Sequence, residues 1–265
     1  MKIRYQSEER VLTDYEDLPE DSHVLHLWEP LPSNVDSNYS FVHDGFLFNL
    51  ISSLLYVIVY PILWVFTRLV FDFRIEGKEN LKAIDGAKIT VSNHVHFLDC
   101  VMSALANFPK KTYFTSLESN FQIPLVHTLI TLLNAIPIPE DIRYTKKFVQ
   151  AIDKLLSQKK TIHFYPESSL WPYYDKLRHF KNGAFDFAVR NQVPIVPFVF
   201  HFTKPTGIRK FFKKKPFVHL TILPAEYPNS TLPKSQAIQE LKNRIHQKMQ
   251  NKKEDAYVKK SKRFL

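Results

Sequence analysis

The amino-acid sequence predicts an α/β fold, a mostly parallel central sheet flanked by helices, with an N-terminal hydrophobic membrane helix in front of it. Three observations lead there. Beyond Phe71 strand-like and helix-like stretches alternate, several of the strand-like ones are apolar throughout, and residues 45–67 contain no charged side chain. Strands that helices cover on both faces have no wet side, so they read as continuous apolar runs. Strand–helix alternation is the order that winds a parallel sheet.

Residues 45–67 come first. About 20 apolar residues span a bilayer, so the segment is long enough to do so. It also starts too late and runs too long for a secretory signal peptide. Pro61 is expected to kink it, Tyr56, Tyr60 and Trp64 are side chains of the interfacial type, and Arg68 ends it. Arg68, Arg74 and Lys78 cluster on its C-terminal side, which by the positive-inside rule places the following domain on the cytoplasmic side of a membrane. Strands are expected over residues 73–76, 88–91, 112–115, 135–138, 161–165, 195–200 and 217–223. Helices are expected over 98–108, 124–134, 143–158 and 183–190, the second opening on Pro124, a residue tolerated in a first turn, and a last one over 235–250. The chain then divides into an acidic segment (1–44), the membrane helix (45–71), a domain over 72–230 and a basic tail (231–265).

Charge is spread unevenly along these parts. Residues 1–44 hold three cations against ten acids, a net −7, and since the whole chain carries +10 the remainder carries +17. Such a balance favours anionic partners. A basic region beside a long apolar segment points to membrane lipid rather than nucleic acid, for which no recognition motif accompanies the charge. Residues 208–215 mix Phe211 and Phe212 with five cations, a composition suited to an anionic leaflet at about 1 kcal/mol per cation near the surface. With five glycines and neither a P-loop nor a dinucleotide fingerprint, nucleotide hydrolysis and hydride transfer are disfavoured. No bound cofactor is expected. The single Cys100 rules out an internal disulfide and fits a reducing compartment.

One short segment carries chemistry. The run 88–91 leads into Asn93-His94, and Asp99 follows five residues after the histidine at the start of a helix-like stretch. In a continuous helix, residues five apart lie on different faces, so His94 and Asp99 meet only if the chain bends between them. A strand–bend–helix order supplies that bend. A carboxylate in the first helical turn can then fix the imidazole tautomer and steady its cationic form, which is what a general base needs to take a proton from a hydroxyl.

Around this pair the sequence resembles the phospholipid/glycerol acyltransferase family, which includes the 1-acyl-sn-glycerol-3-phosphate acyltransferases. Asn93-His94 with Asp99 matches that family's Asn-His-x4-Asp block. Three further blocks follow in the family's order: residues 132–138 with Arg143, residues 164–169 (Phe-Tyr-Pro-Glu-Ser-Ser), and residues 193–197 (Val-Pro-Ile-Val-Pro), so that the resemblance covers about residues 73–223. Two departures fall on the acceptor side. The third block of the family reads Phe-Pro-Glu-Gly-Thr-Arg, whereas Ser168 stands here for the glycine and Leu170 for the phosphate-pairing arginine; the second block is stretched by residues 139–141 before Arg143.

The resemblance implies a glycerolipid acyltransferase-like α/β domain that moves a fatty acyl group from a thioester, acyl-CoA or acyl carrier protein, to a lysophospholipid hydroxyl. His94 and Asp99 are then the catalytic pair. Asn93, Arg143, Glu167, Ser168 and Ser169 are expected at the substrate, Glu167 at the acceptor's polar head and Arg143 at its phosphate. For the missing arginine, Lys176, Arg178 and Lys181 are the nearest cations in sequence. Two other classes compete. His94 and His96 with Asp99 could serve as zinc ligands of a hydrolase, with His127, His163, His179 or His201 completing the set; or the chain could bind lipid without turnover.

Overall fold

In the computed structural model, described for residues 15, 18–19, 35–36, 38–122, 126–205, 207–213 and 216–262, with side chains to residue 256 of the last helix, a seven-stranded sheet carries helices on both faces. Most of the acidic stretch 1–44, Pro124, and the cations Lys214 and Lys215 lie outside the described residues.

Helix α1 spans Phe46–Phe71, matching the expected 45–71 and running three residues past Arg68, where the uncharged segment ends. Its stop is Asp72, in the left-handed conformation (φ 46°), whose N–H donates to the Thr67 carbonyl. Pro61 sits inside the helix without ending it. The buried positions Ser52, Tyr56, Tyr60, Thr67 and Phe71 form one narrow stripe, while Leu54, Val57, Ile58, Ile62, Trp64 and Leu69 are exposed. Tyr56 and Tyr60, expected at a membrane interface, face the domain instead. The reason is hydrogen bonding and stacking: the Tyr56 hydroxyl donates to the Leu133 carbonyl (3.0 Å) and accepts from Asn134 (3.1 Å), and the two tyrosine rings stack at 4.4 Å. Ser52 adds a bond to the Leu132 carbonyl (2.8 Å).

The strands are β1 (Arg74–Glu76), β2 (Lys88–Ser92), β3 (Thr112–Leu117), β4 (Ala135–Ile138), β5 (Thr161–Phe164), β6 (Ile195–Thr203) and β7 (Phe217–Ile222). Their order across the sheet is β1-β7-β6-β2-β5-β3-β4, with every pair parallel except β6–β7. The helices after α1 are α2 (Lys78–Lys82), α3 (Asp99–Asn107), α4 (Val126–Leu132), α5 (Ile142–Ser157), α6 (Gly183–Asn191) and α7 (Lys234–Lys262). The short α2 and the 3-10 turns Glu118–Gln122 and Gly207–Phe211 have no counterpart among the expected elements, and α7 runs past its expected end at residue 250.

β2 lies at the centre and is buried along its whole length, because helices cover both faces. On one face Ile89, Val91, Ile162, Phe164 and Ile195 pack with Ile152 and Leu155 of α5, Phe185 of α6, and Leu241 and Ile245 of α7. On the other, Phe114, Val196, Phe198 and Phe200 pack with Tyr60 and Phe71 of α1 and with Met102 and Leu105 of α3. Each large apolar side chain removed from water in this way stabilises the fold by about 1.5–3 kcal/mol. The alternate side chains of β2 are polar: Thr90 and Ser92 hold the buried His163 of β5 between them, at 2.8 Å to Nδ1 and 3.1 Å to Nε2. Burial lowers the pKa of His163 to about 3, so it stays neutral.

Candidate active site

In parallel sheets, ligands gather at the C-terminal ends of the strands, and β2 ends there at the middle of the sheet. Past Ser92 the chain bends and then enters α3. Asn93 anchors the bend to β6: its amide donates to the Phe200 carbonyl (3.0 Å) and its carbonyl accepts from the Phe200 N–H (2.8 Å). Expected at the substrate, Asn93 is fully buried and spends its side chain on this clamp.

The bend brings His94 and Asp99 together. Asp99 Oδ2 receives His94 Nδ1 (2.7 Å) and the backbone N–H groups of Val95 (3.1 Å) and His96 (3.3 Å). The Asp99 side chain is 1% exposed and that of His94 21% exposed, so of the two only the imidazole reaches the surface. Burial pushes the Asp99 carboxyl up, but the His94 imidazole and the hydrogen bonds it receives outweigh this and hold it below the ordinary carboxylate value. With Nδ1–H donated to the carboxylate, Nε2 carries the lone pair. The Tyr165 ring stacks on the imidazole at 3.9 Å and 22°, which fixes the plane in which that lone pair points.

Glu167 lies beneath the pair. Its Oε2 accepts from the His94 N–H (3.1 Å) and from Arg178 Nη2 (3.1 Å), and its Oε1 accepts from the Arg178 N–H (3.0 Å). Arg178 also donates to Ser169 Oγ (2.6 Å) and to the Ser169 carbonyl, and stands over the Trp171 ring at 4.5 Å. The Arg178 and Glu167 side chains are 2% and 0% exposed. Glu167, expected at the acceptor's polar head, and Ser169, expected at the substrate, are therefore engaged by Arg178, and Arg178 itself is a buried partner rather than a surface cation. The segment is tied back to the bend by the Trp171 N–H to the His94 carbonyl (3.0 Å) and the Tyr173 N–H to the Val95 carbonyl (2.7 Å). Ser168 is exposed and adopts φ 63°, the left-handed region that suits the glycine the family carries there.

Arg143 stands in the first turn of α5, past β4 at the edge of the sheet, where it bonds Asp141 through Nε (2.8 Å) and Nη2 (2.5 Å). β5 and β3 separate β4 from β2. Three strand spacings put the two strand ends about 14 Å apart. Arg143 thus shares the C-terminal end of the sheet without touching the His94 pair.

The zinc alternative finds no ligand set. His96 is buried among Phe71, Phe97 and Tyr173, and its Nδ1 accepts from the Leu98 N–H (3.1 Å). Among the described residues, no three His, Cys, Asp or Glu side chains come close enough to hold a metal ion. Burial together with the charge of Asp99 pushes the Cys100 thiol up to about 12, which makes it a poor nucleophile. Two features of the site have no clear sequence signal: the stacking of Tyr165 on His94, and the inward turn of Arg178.

Residues 72–201 match the family model described as Acyltransferase. The chain is 30% identical over 141 residues to the chloroplastic 1-acyl-sn-glycerol-3-phosphate acyltransferase LPAT1 of Arabidopsis thaliana, covering 52% of this chain and 39% of that protein. It is 33% identical over 128 residues to a 1-acyl-sn-glycerol-3-phosphate acyltransferase of Chlamydomonas reinhardtii, covering 48% and 38%. The chain thus spans about two fifths of the length of these curated relatives. Among solved structures, the 1-acyl-sn-glycerophosphate acyltransferase PlsC of Thermotoga maritima is similar with a TM-score of 0.45 and 18% identity, over 76% of this chain and 94% of that one.

Proposed function

We propose that the chain is a member of the acyltransferase family whose model residues 72–201 match, and that it transfers a fatty acyl group from a thioester to the hydroxyl of a lysophospholipid, with His94 as the base. The observation that carries this reading is the Asp99–His94 pair: a buried carboxylate at 2.7 Å from Nδ1, with the imidazole exposed on its other side. The acceptor hydroxyl gives its proton to Nε2 as its oxygen attacks the thioester carbonyl. Asp99 steadies the imidazolium so formed. When the tetrahedral intermediate collapses, the carbon–sulfur bond breaks and His94 returns the proton to the departing thiolate. No covalent acyl-enzyme is needed. The donor is acyl-CoA or acyl carrier protein.

For the acceptor's phosphate we assign Arg143, an exposed cation at the same end of the sheet whose surface pair with Asp141 is readily exchanged for a phosphate. The names of the curated relatives support 1-acyl-sn-glycerol-3-phosphate as the first acceptor to try.

The membrane is met through α1. Ser52, Tyr56, Tyr60 and Phe71 hold the domain along nearly the whole helix, so a helix standing across the bilayer would pull the sheet into hydrocarbon. We therefore place α1 along one leaflet, its bare apolar face in the acyl chains and the basic domain at the cytoplasmic headgroups.

An acyl-transfer assay of the detergent-solubilised full chain tests the function. Lysophosphatidic acid and other lysolipids are offered with acyl-CoA and with acyl carrier protein as donors. Turnover of a lysolipid is the expected result. Lipid binding without turnover for any donor–acceptor pair would leave the non-catalytic lipid-binding reading in its place.

A further inference from the structure

The opposite end of the sheet holds a second concentration of charge. Lys88 opens β2, Lys110 and Lys111 precede β3, and Lys159 and Lys160 precede β5, so parallel pairing brings all five to the N-terminal ends of adjacent strands. There they line an open cleft of about 400 Å³. Lys88 and His94 belong to opposite ends of β2: four residue steps of about 3.3 Å separate Lys88 from Ser92, and His94 lies beyond. We propose that this cleft is a second ligand site, distinct from the acyl-transfer site, that takes a phosphate monoester or polyphosphate group presented by an anionic lipid.

Repulsion is the first reason. Asp85 is the cleft's one acidic lining residue, and it pairs with Lys110 at 3.6 Å. Burial and Lys110 lower the pKa of Lys88, and burial and Lys160 lower that of Lys111. Five ammonium groups gathered around one cleft are relieved by a ligand of more than one negative charge. A phosphate monoester carries about −1.5 to −2 charges and three strong acceptor oxygens, and lysines serve it as point charges. The cleft's volume is in the range of small-molecule sites. A smaller cleft of about 120 Å³ adjoins it, shares Lys88 and Lys110, and adds Lys78 and Lys82.

The rim gives the source of the phosphate. Asn49 and Ser53 of α1 line the cleft, and Lys111 Nζ donates to Ser52 of the same turn (2.8 Å). Leu50, Leu54 and Val57, on the adjoining turns, are exposed. A lipid whose phosphate sits among the lysines therefore has bare apolar helix on which to lay its acyl chains. The inference rests on placing α1 in a leaflet, but not on acyl transfer.

Binding of the full chain to phosphatidylcholine vesicles doped with phosphatidate tests it. Lys159→Gln/Lys160→Gln is compared with Lys146→Gln/Lys204→Gln, which removes the same charge at exposed positions away from the cleft. The cleft pair is expected to weaken binding about tenfold more than the control pair, beyond the generic loss for two surface cations, and Lys159→Arg/Lys160→Arg should restore it. Inorganic pyrophosphate should compete with the vesicles. Equal losses in the two Gln pairs would overturn the site, leaving only diffuse surface charge. Pyrophosphate binding that the cleft pair abolishes, with vesicle binding unchanged, would overturn the lipid as source. Because the readout is binding, a chain that never turned over would give the same result.

Discussion

At the scale of single residues, Glu167 and Ser168 separate two kinds of role. Glu167 faces three protein donors and is fully buried, so Glu167→Gln leaves the Arg178 charge uncompensated in the interior. Removing one partner of a buried pair costs about 3–5 kcal/mol, and replacing both by neutral groups recovers much of it. Thermal unfolding in micelles should show a large loss for Glu167→Gln and a smaller one for Glu167→Gln/Arg178→Met. An acceptor-binding glutamate would instead raise KM with stability unchanged. Ser168, at φ 63°, has the opposite sign. A left-handed non-glycine residue costs about 1–2 kcal/mol, part of which glycine's extra entropy of ordering offsets, so Ser168→Gly should stabilise by roughly 0.5–1 kcal/mol. His163 sets a pH dependence. Its folded pKa, about 3, lies below the ordinary 6.5, so the unfolded chain binds the extra proton and stability falls as pH drops from about 6.5 towards 3. Asp99, held below 3.8, keeps its contribution throughout the upper part of that window. Denaturant titrations at about pH 7 and pH 5 should therefore show a loss in the native chain that His163→Gln reduces. His94 with Asp99 is legible in the sequence because both belong to one strand–bend–helix unit. Arg178 is not, since it lies in an irregular segment where no period fixes which side chains turn inward.

Among the elements, α1 is read correctly as a long apolar helix and misread in its faces. Hydropathy reports that residues 45–67 avoid water, but not which stripe avoids it against protein; that depends on partners such as Leu132 and Asn134, some 80 positions away. The structure makes the faces distinguishable by experiment. Ile58 and Ile62 are exposed on α1, whereas Tyr60 is buried against the domain. An aspartate in the hydrocarbon costs about 2.5–3.5 kcal/mol. Ile58→Asp/Ile62→Asp should thus lower the membrane-bound fraction after a high-salt wash while leaving the thermal midpoint in detergent close to that of the native chain. Unfolding with no change in partition would mean that these side chains pack on protein. The strands and helices α3 to α6 are legible to within a few residues because apolar runs and 3.6-residue periods are local signals, whereas the short α2 is not expected and α7 runs twelve residues past its expected end. The strand order is set by crossovers between distant segments and has no local mark, whereas the antiparallel pair β6–β7 joins two consecutive strands.

For the whole molecule, the parallel sheet separates two chemistries. Its C-terminal edge carries the imidazole–carboxylate pair, its N-terminal edge the five lysines, and α1 runs from one to the other, Asn49 at the cleft and Phe71 against His96. On the proposed reading, such a layout would keep a cationic headgroup anchor from competing for the reacting phospholipid and would lay the His94 end beside the membrane. On the proposed mechanism His94 and Asp99 act as one base. A double-mutant cycle on acyl transfer by the full chain tests it most directly, with His94→Ala, Asp99→Asn and the pair compared at equal folded fraction. Loss of a positioned general base lowers the rate by about a hundredfold or more, and residues that act as a unit are strongly non-additive. The predicted result is such a loss in each single variant, with the double variant little worse than His94→Ala. Losses that multiply, or native turnover in folded His94→Ala, would contradict it.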